Sequence, residues 1–121
     1  ESSLIRAARK IQAEGPGIVV IKKGEHGVML FDSERFFMLP AYPLEEVFDP
    51  TGAGDTFGGA FIGYLAKENK IDFPTLCRAV SYGSIMASFT VEQFGLDRLK
   101  TLSLHEIEER LKQFRQMSNI P

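Results

Sequence analysis

The sequence predicts a fold of the α/β or α+β class, and two observations lead to this expectation. Short runs of β-branched or aromatic residues occur between longer segments of helical periodicity. In chain order these segments are a helix, a strand, a hairpin, a strand end and three further helices. Ligands of open α/β sheets bind where strands end, so we expect a site at the junction after the last strand end.

Length allows at most one domain, and the composition is ordinary for a soluble protein. The 121 residues are 44% hydrophobic and 25% charged, which is enough apolar surface for a core. The net charge of −2 argues against a nucleic-acid partner, because no basic block is present to neutralise phosphates. No apolar run is long enough to span a membrane, and no membrane partner is expected. The single cysteine, Cys77, excludes an internal disulfide and favours a cytoplasmic location.

A helix and a buried strand are predicted at the beginning of the chain. Apolar residues of segment 2–14 share one helical face, and Gly15-Pro16-Gly17 ends this helix. The β-branched run 18–21 suits a strand that is buried on both faces. Such strands are typical of a parallel sheet covered by helices, and we expect that arrangement here.

A hairpin is predicted next. Segments 28–32 and 35–39 have strand composition, and the polar residues 32–34 between them form a plausible turn. An extended linker over residues 40–43 leads to a strand end at 45–48.

The first helix of the second half is predicted over residues 55–68 from its apolar periodicity. It contains three glycines, which are poor helix formers. They imply that another element packs close to the backbone at Gly58, Gly59 and Gly63.

Two more helices complete the chain. One covers residues 72–89, with Asp72 near its cap position, and a loop follows over 90–100. The other begins with a capping box between Ser103 and Glu106 and carries Arg110 on a solvated face. Its buried stripe is expected to contain Leu104, Ile107, Leu111 and Phe114.

The segment from Asp49 to Gly59 reads D-P-T-G-A-G-D-T-F-G-G and lies at the strand-to-helix junction. Gly52 and Gly54 leave backbone N–H groups unshielded, and the following helix directs its positive end toward them. Asp55 places a carboxylate beside this turn. An anion-binding turn next to a proton acceptor suggests phosphoryl transfer, in which proteins mainly position groups and offset charge.

The same segment also has a purely structural interpretation. Asp-Pro-Thr-Gly is favourable turn chemistry, and an aspartate near a helix start is a common cap. Spacing alone leaves both interpretations open. The segment is not a Walker A loop, because no Gly-Lys-Ser/Thr follows, and it is not a Rossmann fingerprint.

Residues 49–61 closely resemble the second signature of the PfkB, or ribokinase-like, family of carbohydrate and nucleoside kinases. That signature usually reads D-T-x-G-A-G-D-x-F, and Pro50 stands at the usual threonine. Segment 19–27 resembles the family's strand and turn with its G-x-x-G. The resemblance implies an α/β, ribokinase-like fold, with residues 1–121 as the C-terminal part of a three-layer α/β/α sandwich. The N-terminal half of that pattern, which supplies most acceptor contacts, is not visible in this sequence.

The resemblance also implies roles for individual residues. Asp55 matches the catalytic base, and Gly52-Ala53-Gly54 matches the anion hole for the transferred phosphoryl group. Asp49 and Thr51 match positions that bind a monovalent cation such as K⁺ in many members. The implied cofactors are ATP and Mg²⁺. The positions that match the ATP-binding residues are Lys22, Gly24, Gly27, Ser84 and Gly95.

Three functions follow as alternatives. The resemblance implies a cytoplasmic, ATP-dependent kinase of a sugar or nucleoside, with a homodimer as one expected assembly. A chain without the acceptor half could instead bind nucleotide or phosphate without catalysis. The third alternative is a structural half that needs a partner chain to complete its sheet.

Overall fold

The computed structural model describes residues 17–22, 27–43, 52–92 and 102–118. The chain divides into two compact units, Glu1–Ala41 and Tyr42–Pro121, which are described separately below. The predicted helix over 2–14 and the predicted strand end at 45–48 lie outside the described residues.

The first unit contains a three-stranded antiparallel sheet in the order β1-β2-β3. Val19 pairs with Phe31, and Val28 pairs with Leu39, so β2 is the central strand. Every residue of β2 is buried, and Met29 and Phe31 form a core against which Val19 and Ile21 of β1 pack. The strands are β1 (Val19–Lys22), β2 (Val28–Phe31) and β3 (Phe36–Leu39).

The expectation of a parallel, doubly buried first strand is wrong for the described residues. Strand β1 pairs with β2 in antiparallel orientation, and its first three residues are only half-buried. The short connection over residues 23–27 explains this pairing, because parallel neighbours need a crossover of roughly a dozen residues or more. A β-branched run alone does not distinguish the two arrangements.

The predicted hairpin between β2 and β3 is confirmed, and Asp32 organises its turn. The Asp32 carboxylate accepts hydrogen bonds from the backbone N–H groups of Glu34 at 2.9 Å and Arg35 at 2.6 Å. It also pairs with the Arg35 guanidinium at 3.0 Å. The Glu34 N–H is the main cause that lowers the pKa of the Asp32 carboxyl. This is the local hydrogen bonding by which aspartate favours turns.

The second unit contains three described helices: α1 (Ala53–Glu68), α2 (Phe73–Glu92) and α3 (Leu104–Ser118). Asp72 caps α2 by accepting a hydrogen bond from the Thr75 N–H at 2.9 Å, as predicted. Helix α2 continues past the predicted end, so residues 90–92 are helical rather than part of a loop. Thr90, in this last part of the helix, is completely buried.

Helices α1 and α2 pack against each other along their length. At one end, the Arg78 side chain donates to the Tyr64 hydroxyl at 3.3 Å, and the rings of Tyr64 and Tyr82 lie 5.6 Å apart. In the middle, α2 has a glycine, Gly83, where a Cβ atom would lie 3.0 Å from the Phe57 ring and 3.1 Å from the Phe57 carbonyl oxygen. The close approach of these helices therefore depends on Gly83.

The expectation of close packing at the glycines of α1 is wrong for the described residues. A Cβ atom built at any of the three meets no described atom within 4 Å. Tight packing instead occurs at the partner helix. The three α1 positions are Gly58, Gly59 and Gly63.

Helix α3 begins with the predicted capping box. The Ser103 N–H donates to Glu106 at 3.1 Å, and the Glu106 N–H donates to the Ser103 hydroxyl at 3.2 Å. Phe114 is buried as expected, but Leu104 is 69% exposed, which corrects the predicted stripe at its first residue. Leu104 is the first residue of the helix, where the stripe extends beyond the packed surface.

Arg110 was expected on a solvated face, and the structure corrects this. Its guanidinium lies 3.7 Å from the centre of the Phe89 ring and 4.7 Å from that of Tyr42. It also donates to the Ser88 hydroxyl at 3.0 Å. This half-buried arginine therefore attaches α3 to α2 by cation–π contact and hydrogen bonding, which a solvent-exposed charge could not do.

Gly83→Ala should lower the free energy of unfolding by about 1–3 kcal/mol, because the new methyl group must displace a buried ring or a helix backbone. Gly63→Ala is the matched control. Its Cβ has space, and the higher helix propensity of alanine should leave stability unchanged or raise it by up to about 1 kcal/mol. Equilibrium urea unfolding measures both changes. Equal effects of the two substitutions would contradict the packing described here.

Candidate active site

The start of α1 brings together the residues that were predicted to form the anion hole and the base. Gly52 occupies the N-cap position with φ 86° and ψ −9°, a left-handed conformation that favours glycine. Ala53 is the first helical residue, and the Thr56 N–H donates to the Gly52 carbonyl at 2.9 Å. Asp55 lies in this first turn, and its side chain is exposed. A ligand can therefore reach both the turn and the carboxylate.

The described helix starts differ in how they are capped. Asp72 caps α2, and the reciprocal pair of Ser103 and Glu106 caps α3. At the start of α1, the N-cap Gly52 makes no side-chain hydrogen bond. Backbone N–H groups at a helix start lack intrahelical partners and attract anions together with the helix dipole. Among the described helix starts, α1 thus differs in having a glycine at the N-cap, which supplies no capping side chain.

Two contacts with α2 hold the first turn of α1. The Thr90 hydroxyl donates to the Thr56 hydroxyl at 3.2 Å, and Phe57 packs on the backbone of Gly83. The sequence analysis paired neither residue of α2 with α1. Thr90 was assigned to a loop, and Gly83 was one of several small residues that indicated tight packing of its helix without naming the partner. Only the pairing of the two helices identifies them.

The first unit holds the predicted residues of the nucleotide-lining segment. Lys22 is the last residue of β1 and is exposed. Gly27 precedes β2 with φ 101°, and a Cβ atom there would collide with the Leu39 carbonyl oxygen. Glycine at this position is thus required by the hairpin itself, whether or not a nucleotide binds. Gly24 lies outside the described residues.

Of the remaining predicted ATP-binding and cation-binding residues, the structure describes Ser84. Ser84 lies in the middle of α2 and is half-buried. Asp49, Thr51 and Gly95 lie outside the described residues.

In the part of the chain that the structure describes, no group of three or more His, Cys, Asp or Glu side chains could hold a metal ion. Cys77, the single cysteine of the sequence, is half-buried in α2. None of the described helices is long and apolar enough to cross a membrane.

Comparison with known proteins decides the family. Residues 1–101 match the pfkB family of carbohydrate kinases. The chain belongs to this family. It is 48% identical over 68 residues to a cytidine kinase of Thermococcus kodakarensis, which covers 54% of this chain and 24% of that protein. It is 35% identical over 80 residues to the ribokinase of Bacillus subtilis, covering 66% of this chain and 25% of the ribokinase.

Solved structures of two kinases share the fold. Aminoimidazole riboside kinase from Salmonella enterica, complexed with aminoimidazole riboside and an ATP analogue, has a TM-score of 0.74 at 27% identity over 88% of this chain and 35% of its own. The nucleoside kinase of Methanocaldococcus jannaschii has a TM-score of 0.68 at 25% identity over 93% and 38% of the two chains. These likenesses confirm the predicted ribokinase-like α/β fold. The chain spans about a quarter of the length of the curated relatives it matches.

Gly52→Ala should destabilise the protein by about 1–2 kcal/mol, because a side chain in left-handed backbone meets the following carbonyl. Gly59→Ala in the same helix is the control, since its Cβ has no described neighbour within 4 Å and alanine favours a helix. Differential scanning calorimetry compares the two. If Gly52→Ala were as stable as Gly59→Ala, the left-handed start of α1 would be ruled out.

Proposed function

We propose that the protein carrying this chain transfers the γ-phosphate of ATP to a hydroxyl group of a sugar or nucleoside. Residues 1–121 would form the C-terminal, ATP-binding and catalytic-base portion of its kinase domain. Family membership supports a kinase in general. The observation that carries the specific proposal is the start of α1, where a left-handed glycine without a side-chain cap adjoins an exposed carboxylate.

The first step of the proposed mechanism is recognition of the transferred phosphoryl group. Backbone N–H groups of Gly52, Ala53 and Gly54 would donate to its oxygens, and the dipole of α1 would offset their negative charge. These groups lie on a helix that is packed against α2, so they need little reorganisation during the reaction. Preorganised donors of this kind stabilise charge as it develops in the transition state.

The second step is attack by the acceptor. An acceptor hydroxyl oxygen would form a bond to the γ-phosphorus, and the bond from that phosphorus to the ADP oxygen would break. Asp55 would first orient the hydroxyl and then accept its proton as the new bond forms. A positioned base of this kind contributes roughly 10²–10⁴ in rate. Asp55 is suited to this role because its carboxylate is exposed beside the helix start.

Cations and nucleotide contacts are part of the proposal. Mg²⁺ bound to ATP would neutralise phosphate charge, and it usually needs only one or two protein carboxylates. Asp49 and Thr51 remain the proposed ligands of a monovalent cation such as K⁺. Lys22, Gly24, Gly27, Ser84 and Gly95 remain proposed to line the ATP site. The relative in complex with an ATP analogue supports the use of ATP by this fold.

The proposal includes a location and an assembly. A reducing, cytoplasmic location agrees with a sequence whose single cysteine cannot form an internal disulfide. A homodimer remains one proposed assembly. The acceptor is proposed at the level of a sugar or nucleoside, since the relatives include a cytidine kinase and a ribokinase.

Asp55→Asn in the protein at its natural length should lower kcat by roughly 10²–10⁴ and leave the Kd for ATP within about threefold, because the amide cannot accept the proton. Asp72→Asn is the matched control. Asp72 is also an exposed aspartate at a helix start, and asparagine caps helices equally well, so turnover should be retained. A coupled ADP-release assay and calorimetry with Mg·ATP give the two quantities. Full turnover by Asp55→Asn would eliminate Asp55 as the base.

The alternative functions concern the 121-residue chain alone, which covers only about a quarter of its curated relatives. The same two measurements on this chain separate the possibilities. Binding of ATP without ADP release would favour a nucleotide-binding portion that lacks the acceptor side. ADP release that depends on a sugar or nucleoside would exclude it. Light scattering distinguishes a structural half that self-associates from a monomer.

A further inference from the structure

We propose that Thr90 and Gly83 of α2 are positioning residues for phosphoryl transfer. They would act by fixing the first turn of α1, which carries the proposed anion hole and Asp55. This inference rests on the proposed function. Neither residue is close in sequence to the glycine-rich segment, and neither is proposed to touch ATP or the acceptor.

The first contact is a hydrogen bond between two threonines. Thr56 directly follows Asp55, and its hydroxyl accepts a hydrogen bond from the Thr90 hydroxyl at 3.2 Å. Thr90 is completely buried, and its hydroxyl also lies 3.4 Å from the Met86 carbonyl oxygen of its own helix. A buried hydroxyl that joins two helices specifies their alignment, because the hydrogen bond forms only when the two helices are in register.

The second contact is made by the next residue of α1. Phe57 is buried, and both its ring and its carbonyl oxygen approach the backbone of Gly83. The Phe57 ring also stacks on Phe61, with centroids 6.0 Å apart and planes 9° from parallel. Rotation of this turn would therefore disturb a ring that is confined by α2 on one side and by its own helix on the other.

These contacts act at a helix start whose N-cap residue has no side chain. At the other two described starts, side chains fix the backbone by capping, whereas Gly52 supplies no capping side chain. A glycine N-cap leaves room for an anion, but it contributes no capping hydrogen bond that would fix the direction of the first turn. Thr90 and Gly83 fix this direction from the neighbouring helix, and neither is proposed to contact ATP or the acceptor.

The direction of the turn bears on the reaction itself. Asp55 must lie within hydrogen-bond reach of the acceptor hydroxyl, and the N–H donors must point at the phosphoryl oxygens. A displacement of about 1 Å can reduce a rate by roughly a hundredfold. Looser positioning of this turn should therefore reduce kcat more than it weakens ATP binding, to which other residues contribute.

Thr90→Val, which removes the hydroxyl and keeps the shape, tests the inference in the protein at its natural length. We expect kcat to fall by roughly ten- to a hundredfold, with the KM for ATP within about threefold. Amide hydrogen exchange at Thr56, whose N–H is bonded to Gly52, should accelerate by about tenfold. Thr90→Ser restores the hydroxyl, so both quantities should return to within about threefold of the original protein.

Thr75→Val is the matched control. Thr75 is also a completely buried threonine of α2, and its hydroxyl accepts a hydrogen bond from Arg78 at 3.2 Å, at the opposite end of the helix. Its substitution should destabilise the protein without changing kcat or the exchange of Thr56. Equal effects of Thr75→Val and Thr90→Val, or failure of Thr90→Ser to restore both quantities, would overturn the positioning role.

Failure of the proposed kinase function can be distinguished from failure of the positioning role. If the unsubstituted protein transfers no phosphate to any sugar or nucleoside, the proposed function fails. The exchange of Thr56 then still decides whether Thr90 holds the turn, because that measurement needs no substrate. If the protein is an active kinase and Thr90→Val keeps full kcat, the positioning role fails and the kinase stands.

Discussion

The close packing of the first turn of α1 on α2 is the constraint on which the candidate site depends. It combines an absent side chain at Gly83, a buried ring at Phe57 and a hydrogen bond between Thr56 and Thr90. Thr56 and Phe57 directly follow Asp55 in the chain. Thr90 and Gly83 contact them from α2. The packing that stabilises the second unit is thus also the packing that would orient the carboxylate and the N–H donors.

Capping explains why this helix start, among those described, is suited to an anion. At the starts of α2 and α3, backbone N–H groups donate to side-chain oxygens of the protein itself. These oxygens belong to Asp72, Ser103 and Glu106. Glycine at position 52 supplies no such oxygen, so a phosphoryl group could take that place. Backbone N–H groups of this first turn would then form the binding surface. Family membership among carbohydrate kinases fits this interpretation.

Local features could be predicted from the sequence, and features that depend on distant contacts could not. The Ser103 capping box and the Asp32 turn were predicted because each is encoded within a few neighbouring residues. The antiparallel pairing of β1 was not, since a β-branched run fits either orientation. Thr90 and Gly83 were missed because their meaning arises only when α2 meets α1. The roles of Asp55 and the anion-hole residues followed from resemblance and remain predictions.

The central claim is that the uncapped start of α1 binds the phosphate groups of ATP. A titration of the isotope-labelled protein with Mg·ATP, followed by amide chemical shifts, tests it most directly. The largest changes are predicted at Gly52, Ala53 and Gly54, with little change at the capped starts of α2 and α3. Binding of Mg·ATP that leaves the amides of Gly52, Ala53 and Gly54 unchanged would contradict the claim.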